Sequence, residues 1–351
     1  MDPVASSHYH FIITTMHVLV LRLSALGDVA MTIPAIYSVA RTYPQHRFTV
    51  VTAAFTARLF VGAPENVRVL ALEKSESRGI GGTFRLLRRL FRIDKGQNGD
   101  FGHVDAVADL HNVLRSWIVD AAFFLRWRRV ALLDKRRSER RAILHDHSCS
   151  ALPFTQRYFD VFAQLGLKAE PQFDRLEEIG EPTGFENIEH PAVGIAPFAR
   201  YRNKTYSLEL MQEVVRLLVE RGAHVFLFGA RGAEAATLEQ WAQGETMVTV
   251  VAGQLPLEQE LALMARLDVM LTMDSANMHL ASLVGTRVVS FWGGTTPACG
   301  FLGYGQSPKD TLLAGLSCQP CTIAGSDSCP LGHMHCTKGV KPETIVQKLL
   351  N

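Results

Sequence analysis

The sequence predicts an α/β protein made of two doubly wound parallel-sheet domains, and three observations lead there. Short apolar runs alternate with helix-periodic segments in both halves; one acidic stretch broken by Gly and Pro interrupts the alternation; and 351 residues exceed what a single core usually supports. Strands that alternate with helices imply parallel sheets covered on both faces.

The first half, residues 16–173, opens with Val18–Arg22 (VLVLR), an apolar run suited to a buried strand. The loop LSALGD follows, and then Val29–Tyr43 carries Ile33, Ile36, Tyr37 and Ala40 at helical spacing. Phe48–Thr52, Val67–Leu72, Val104–Leu110 and Val130–Asp134 are the further predicted strands. Residues 174–191 (DRLEEIGEPTGFENIEHP) have no apolar period and read as an interdomain linker. In the second domain, residues 192–340, the predicted strands are Ala192–Ala196, His224–Phe228, Met247–Val251, Val269–Met273 and Arg287–Trp292. The predicted helices between them are Leu208–Arg221, Ala233–Gln243, Leu257–Arg266 and Ala276–Val284, with Ser207 placed to cap the first and Gly222 to end it. Residues 341–351 form a last helix. Two such domains in tandem place a cleft between the carboxyl ends of their strands, where open α/β sheets bind ligands.

Composition narrows the function. A formal charge of +2 gives no case for a nucleic-acid partner. Charge breaks every long apolar run well before the ~20 residues a membrane span needs. The run Phe11–Leu23 lacks a basic leader and contains His17 and Arg22, so it reads as the start of a strand, and a cytoplasmic protein is expected. Residues 1–15 show no periodicity: they are a disordered extension, or Met16 is the true start.

Four loops hold the residues suited to chemistry. Asp28 ends the LSALGD loop, either as a helix N-cap or as a cleft carboxylate able to take a proton from an attacking hydroxyl. That loop has one glycine, Gly27, where a dinucleotide turn needs three, so a dehydrogenase fingerprint is rejected. Met273–Ala281 (MDSANMHLA) passes from a strand into a helix and makes an anion site from Asp274, the amides of Ser275 and Ala276, and His279 one turn on; a capped helix with a buried histidine is the plainer reading. Lys204, in ARYRNKTYS, is a surface charge or a clamp on a diphosphate. In Gly229–Glu234 (GARGAE), Gly229 allows close backbone approach, and Glu234 is a surface residue or a ribose acceptor.

Together these segments resemble glycosyltransferase family 9, the lipopolysaccharide heptosyltransferases, from about Met16 to the C-terminus. The likeness rests on LRLSALGDVAMTIPAI, DLHNVLRS, the lysine loop, GARGAE, AGQLPLEQELALMARLDVMLTMDSANMHLA and VVSFWGGTTP. It implies a GT-B fold and an inverting, metal-independent transfer of heptose from a nucleotide donor, typically ADP-heptose, to a lipopolysaccharide core acceptor, with no cofactor. In that scheme Asp28 is the general base and Lys204 binds the donor phosphates. Glu234 holds the nucleoside, Asp274 binds the sugar, and Ser275, Ala276 and His279 surround the diphosphate. The chain departs from the family pattern at Ser275, Ala276 and Asn277, where Thr, Gly and Leu are usual. Ala276 adds a methyl where backbone meets phosphate.

On the acceptor side, Ser24 and DLHNVLRS (His111, Asn112, Arg115) are candidates to meet an anionic sugar, against a capped helix with an exposed arginine. Two runs, Arg85–Arg92 (RLLRRLFR) and Arg126–Arg141, interleave cations with apolar residues. They are solvated faces, or a surface resting on anionic lipid. Cys318, Cys321, Cys329 and Cys336 cluster near the end with His333 and His335; a reduced, packed tail is expected, with structural zinc the alternative. Two other functions share this fold: a nucleotide-sugar-binding protein without turnover, and a sugar-nucleotide epimerase. Retention of Asp28, Lys204 and Asp274 together argues against the first, and an epimerase needs its acids clustered near the donor.

Overall fold

A computed structural model describes residues 15–76, 79–96, 102–185 and 188–351; most of the proposed N-terminal extension lies outside the described residues. Among these, eleven strands form two sheets, all of them parallel. The first contains β1 (His17–Leu21), β2 (Arg47–Ala53), β3 (Val67–Leu72), β4 (Ala106–Asp109) and β5 (Arg129–Leu132), in the order β3-β2-β1-β4-β5. The second contains β6 (Ala192–Ala196), β7 (His224–Leu227), β8 (Val248–Val250), β9 (Val269–Met273), β10 (Arg287–Trp292) and β11 (Thr311–Leu313), in the order β11-β10-β9-β6-β7-β8. Every predicted strand is present. β11 is additional: three residues are too few to show a period, and its pairing with β10 creates it.

All five residues of β1, of β6 and of β9 are buried, as expected for central parallel strands with helices on both faces. In the first half, Ile33–Thr42 packs on Phe154–Gln164 on one face, while Gly79–Asp94 and Leu114–Phe124 supply the core of the other. In the second, Leu208–Glu220 packs on the C-terminal helix Pro342–Leu350. One apolar cluster runs through both halves, joining Val29, Ile33 and Ile36 to Met278, Leu280 and Ala281.

Ser207 occupies the N-cap position, but its hydroxyl bonds Glu209 instead of a helix amide. Gly222 ends that helix at φ 79°, a conformation only glycine adopts without strain. The segment proposed as a linker packs on both halves: Leu176 N donates to Leu283 O at 2.7 Å and Thr183 N to Gln259 Oε1 at 2.6 Å, while Arg41 Nη2 donates to Glu177 Oε1 at 3.1 Å.

Strand order reverses between β1 and β4 in one sheet and between β6 and β9 in the other. Loops leaving strands beside such a reversal diverge to opposite faces and leave a crevice at the sheet's carboxyl edge. Those loops carry Ser24–Asp28 after β1, His111–Arg115 after β4, Lys204 after β6 and Asp274–His279 after β9.

Candidate active site

The second half supplies a buried, charged cradle. Lys204 Nζ lies 2.8 Å from Asp274 Oδ2, and Thr295 Oγ1 donates to the same oxygen at 2.7 Å. Asp274 is 4% exposed, so its charge depends on these partners. Ser275 is the N-cap of Ala276–Leu283 but makes no capping bond; its hydroxyl is buried and unpartnered. His279 Nδ1, Thr296 Oγ1 and Asn203 Nδ2 are likewise buried without partners. Four such orphans beside a lysine and a helix N-terminus are costly unless a ligand satisfies them. Burial, with Lys204 adding, pushes His279 down to about 4 against the opposing pull of Asp274 and Asp28, so its ring is neutral at pH 7.

The first half brings Asp28 to this cradle. It sits at the third position of the helix Leu26–Ala30, which Ala25 caps, so the expected N-cap role is corrected. Its Oδ2 lies 3.4 Å from Ala25 N and 2.8 Å from Arg22 Nη2. Arg22 is buried and also donates through Nη1 to Leu110 O at 2.6 Å, which ties Asp28 to the loop after β4. The halves nearly touch here: a Cβ on Gly27 would lie 3.1 Å from Ala276 Cα and from His279 Cδ2.

His111 stands within electrostatic reach of Arg22, Asp28, Asp109 and Lys135, and burial is the main cause that lowers it to about 4. Its loop is shaped by Asp109, whose Oδ1 accepts from His111 N at 2.8 Å and Asn112 N at 2.9 Å. The other acceptor candidates behave differently. The Asn112 amide is committed to Leu133 O at 2.6 Å and to Trp117 Nε1 at 2.5 Å, so it builds the loop. Arg115 turns to the Glu76 carbonyl; the cations near His111 are Arg22 and Lys135. Ser24 is exposed in the loop before Asp28. A cavity of ≈ 620 Å³ opens beside them, lined by Asn112, Trp117, Lys135, Arg136 and Arg137 among others.

In the loop after β7, Glu234 accepts from Ala230 N at 2.7 Å, and its carboxylate backs onto Gly229. The second basic run divides: Arg126 covers the Phe91 ring at 3.6 Å beside the first run, while Arg136 and Arg137 line the cavity beside Asn112. Sequence reasoning missed Arg22, Asn203, Thr295, Thr296 and Lys135 as site residues. All five lie in segments already singled out (VLVLR, the lysine loop, VVSFWGGTTP and the run Arg126–Arg141), but nothing local distinguishes them from strand, loop or surface filler.

Comparisons with known proteins follow this geometry. The family model described as glycosyltransferase family 9 (heptosyltransferase) matches residues 102–330. The lipopolysaccharide core heptosyltransferase OpsX of Haemophilus influenzae is 24% identical over 283 residues, 78% of each chain. Escherichia coli heptosyltransferase WaaC, solved with ADP, superposes with a TM-score of 0.63 at 19% identity, covering 95% of this chain and 98% of that one. WaaC has also been solved with ADP-2-deoxy-2-fluoro heptose. A family 9 glycosyltransferase from Veillonella parvula gives 0.70 at 17% identity, covering 95% and 97%. The two-sheet architecture is thus the GT-B fold expected from the sequence.

Proposed function

Because the chain belongs to glycosyltransferase family 9, we propose that it moves a heptose from ADP-heptose to a lipopolysaccharide core acceptor, with inversion and without a metal in the chemical step. The observation that carries this reading is the set of orphaned polar groups around Lys204 and Asp274, with the Asp28 carboxylate facing them from the other half. The nucleotide and sugar are those solved with WaaC, and the acceptor class is that in the name of OpsX.

In the reaction, the acceptor hydroxyl loses its proton to Asp28 while its oxygen attacks the anomeric carbon. The bond from that carbon to the β-phosphate oxygen breaks on the opposite face, and its electron pair leaves with ADP. Lys204 and the amides at Ser275 and Ala276 neutralise the charge that develops there, the task a metal ion performs in other transferases. Asp274 binds the sugar, His279 donates or accepts as a neutral ring, and Glu234 with Gly229 receives the nucleoside. Arg22 orients Asp28, and His111 with Lys135 meets an anionic acceptor.

No helix among the described residues is long and apolar enough to cross a membrane. A face bearing Phe84, Phe124, Leu125 and Trp127 (92% exposed) beside Arg88 and Arg92 suits peripheral contact with anionic lipid on the cytoplasmic side.

The test is product analysis with ADP-heptose and a truncated core acceptor. Acceptor mass should rise by one heptosyl unit with inverted configuration, and Asp28→Asn should lower turnover by about 10²–10⁴-fold while ADP binding persists. An epimerised donor, or bound donor without product, overturns the reading.

A further inference from the structure

Arg157, on the helix Phe154–Gln164 of the first half, is 1% exposed. A guanidinium so withdrawn from water is tolerated where its charge and its N–H groups are met. Its fork meets three acceptors: Nε donates to Leu152 O at 2.8 Å, Nη1 to Lys135 O at 3.3 Å and Nη2 to Glu139 Oε2 at 3.2 Å. The guanidinium carbon also stands 4.5 Å from the centre of the Phe154 ring. Lys135 and Glu139 belong to one wall of the ≈ 620 Å³ cavity that opens beside Asn112 and Trp117. Regular structure does not hold the chain there, because residues 133–136 have no helix or strand and Arg136 takes a left-handed φ of 41°. Arg157 grips that turn from behind, at the residue before Arg136 and at the third residue after it.

The same grip sets the charge of the wall. Lys135, Arg136 and Arg137 are its cations, with Glu139 a carboxylate among them. Both Glu139 oxygens are engaged, Oε2 by Arg157 and Oε1 by Leu152 N at 3.4 Å. With that charge matched from within, the cations dominate what the wall shows an anion. The helix carrying Arg157 also fixes where the wall stands. Asp160 lies 3.8 Å from Arg136, and the Tyr158 ring lies 6.0 Å from the guanidinium carbon of Arg22, which in turn holds Asp28. At the helix start, Phe154 N donates to Gly300 O at 3.0 Å, and the Phe154 ring stacks on Phe301 of the second half at 4.5 Å. One helix thus relates the wall to the proposed proton acceptor and to the loop that follows Thr295 and Thr296.

We propose that Arg157 is a positioning residue for the acceptor: it holds the Lys135–Arg137 wall in place and cancels the Glu139 charge, so that the cavity takes an anionic sugar within reach of Asp28. This rests on the reading of Lys135 as a contact for an anionic acceptor. Arg157 has almost no surface of its own, so it acts through the Lys135 carbonyl and the Glu139 carboxylate. Lysine is no equivalent, since an ammonium offers a point charge and no planar fork to span three acceptors. Loss of the arginine has two separable effects. The wall loses its backing, and a carboxylate is freed to repel an anion.

Initial rates of the full chain and its variants are measured with ADP-heptose and the truncated core acceptor, each varied in turn. Arg157→Gln should raise the acceptor KM by about 10–100-fold, with donor KM and ADP affinity little changed. Arg157→Lys keeps a charge beside Glu139 but loses the fork, so it should raise the acceptor KM by a smaller factor. Adding Glu139→Gln to Arg157→Gln should recover part of the loss, because the freed charge is gone. Hydrogen exchange in the helix Arg137–His145 should be faster in both Arg157 variants. If Arg157→Gln does not fold, Arg157→Lys carries the test alone. An unchanged acceptor KM in a folded Arg157 variant overturns the proposal, as does a donor KM that rises in step with it. No recovery on adding Glu139→Gln overturns the charge role. A wild-type chain that forms no product overturns the transferase reading instead, and the exchange comparison then decides whether Arg157 holds the wall.

Discussion

Lys204 and Asp274, from loops after neighbouring strands β6 and β9, form an ion pair of 2.8 Å, and each is mostly withdrawn from solvent. Before a donor binds, the lysine neutralises the aspartate; afterwards it must be shared with the phosphates. Lys204→Ala is therefore expected to weaken ADP binding by about 10–100-fold and to destabilise the fold by about 3 kcal/mol through the stranded carboxylate. Calorimetric titration with ADP and a denaturant melt check both. Unchanged ADP affinity would sink the phosphate role.

Arg22 makes two contacts that only a guanidinium makes together, one to Asp28 and one to Leu110 O. Arg22→Gln should lower kcat by roughly 10–100-fold with the donor KM little changed, because orientation of the carboxylate is lost while the cradle is intact. Arg22→Lys should recover part of kcat. A rise in donor KM with normal kcat would assign Arg22 to the donor instead.

His279 gives a pH prediction. Its folded value of about 4 lies below the ordinary 6.5, so the unfolded chain takes up a proton first as pH falls. Stability is full above about pH 6.5 and declines towards pH 4, by up to about 1.4 kcal/mol per pH unit for each such histidine. His111 adds to the same slope. Melting temperatures across pH 4–7 test this, and His279→Gln should flatten the curve.

Asp120 predicts the opposite trend. Burial, with the Asp109 charge next and a hydrogen bond to Asp109 after it, raises it to about 9. The folded state therefore keeps a proton that the unfolded state releases above about 4, and stability falls as pH rises towards 9. Asp120→Asn is expected to raise the melting temperature at pH 8 and to change it less at pH 5. A lower melting temperature at pH 8 would show a needed carboxyl.

Strands were legible because β1, β6 and β9 are continuous apolar runs and their helices keep period. The candidate site was legible where a loop sits at a strand end: Asp28, Lys204, Asp274 and Ser275 are brought together. Long-range placement was illegible. Arg22 reads as the last residue of VLVLR until Leu110 O and Asp28 are seen around it. Arg115 reads as a cleft cation until Glu76, remote in sequence, takes it. The run 126–141 looks like one surface because proximity along the chain hides the turn that sends its two ends apart.

Gly27 has one more consequence. Its bare Cα meets Ala276, whose methyl would stand 3.5 Å from a side-chain carbon at position 27. The two halves thus meet at this point with almost no clearance. A single added carbon at residue 27 would act as a shim, leaving Asp28 and the Lys204–Asp274 pair chemically unaltered yet farther apart.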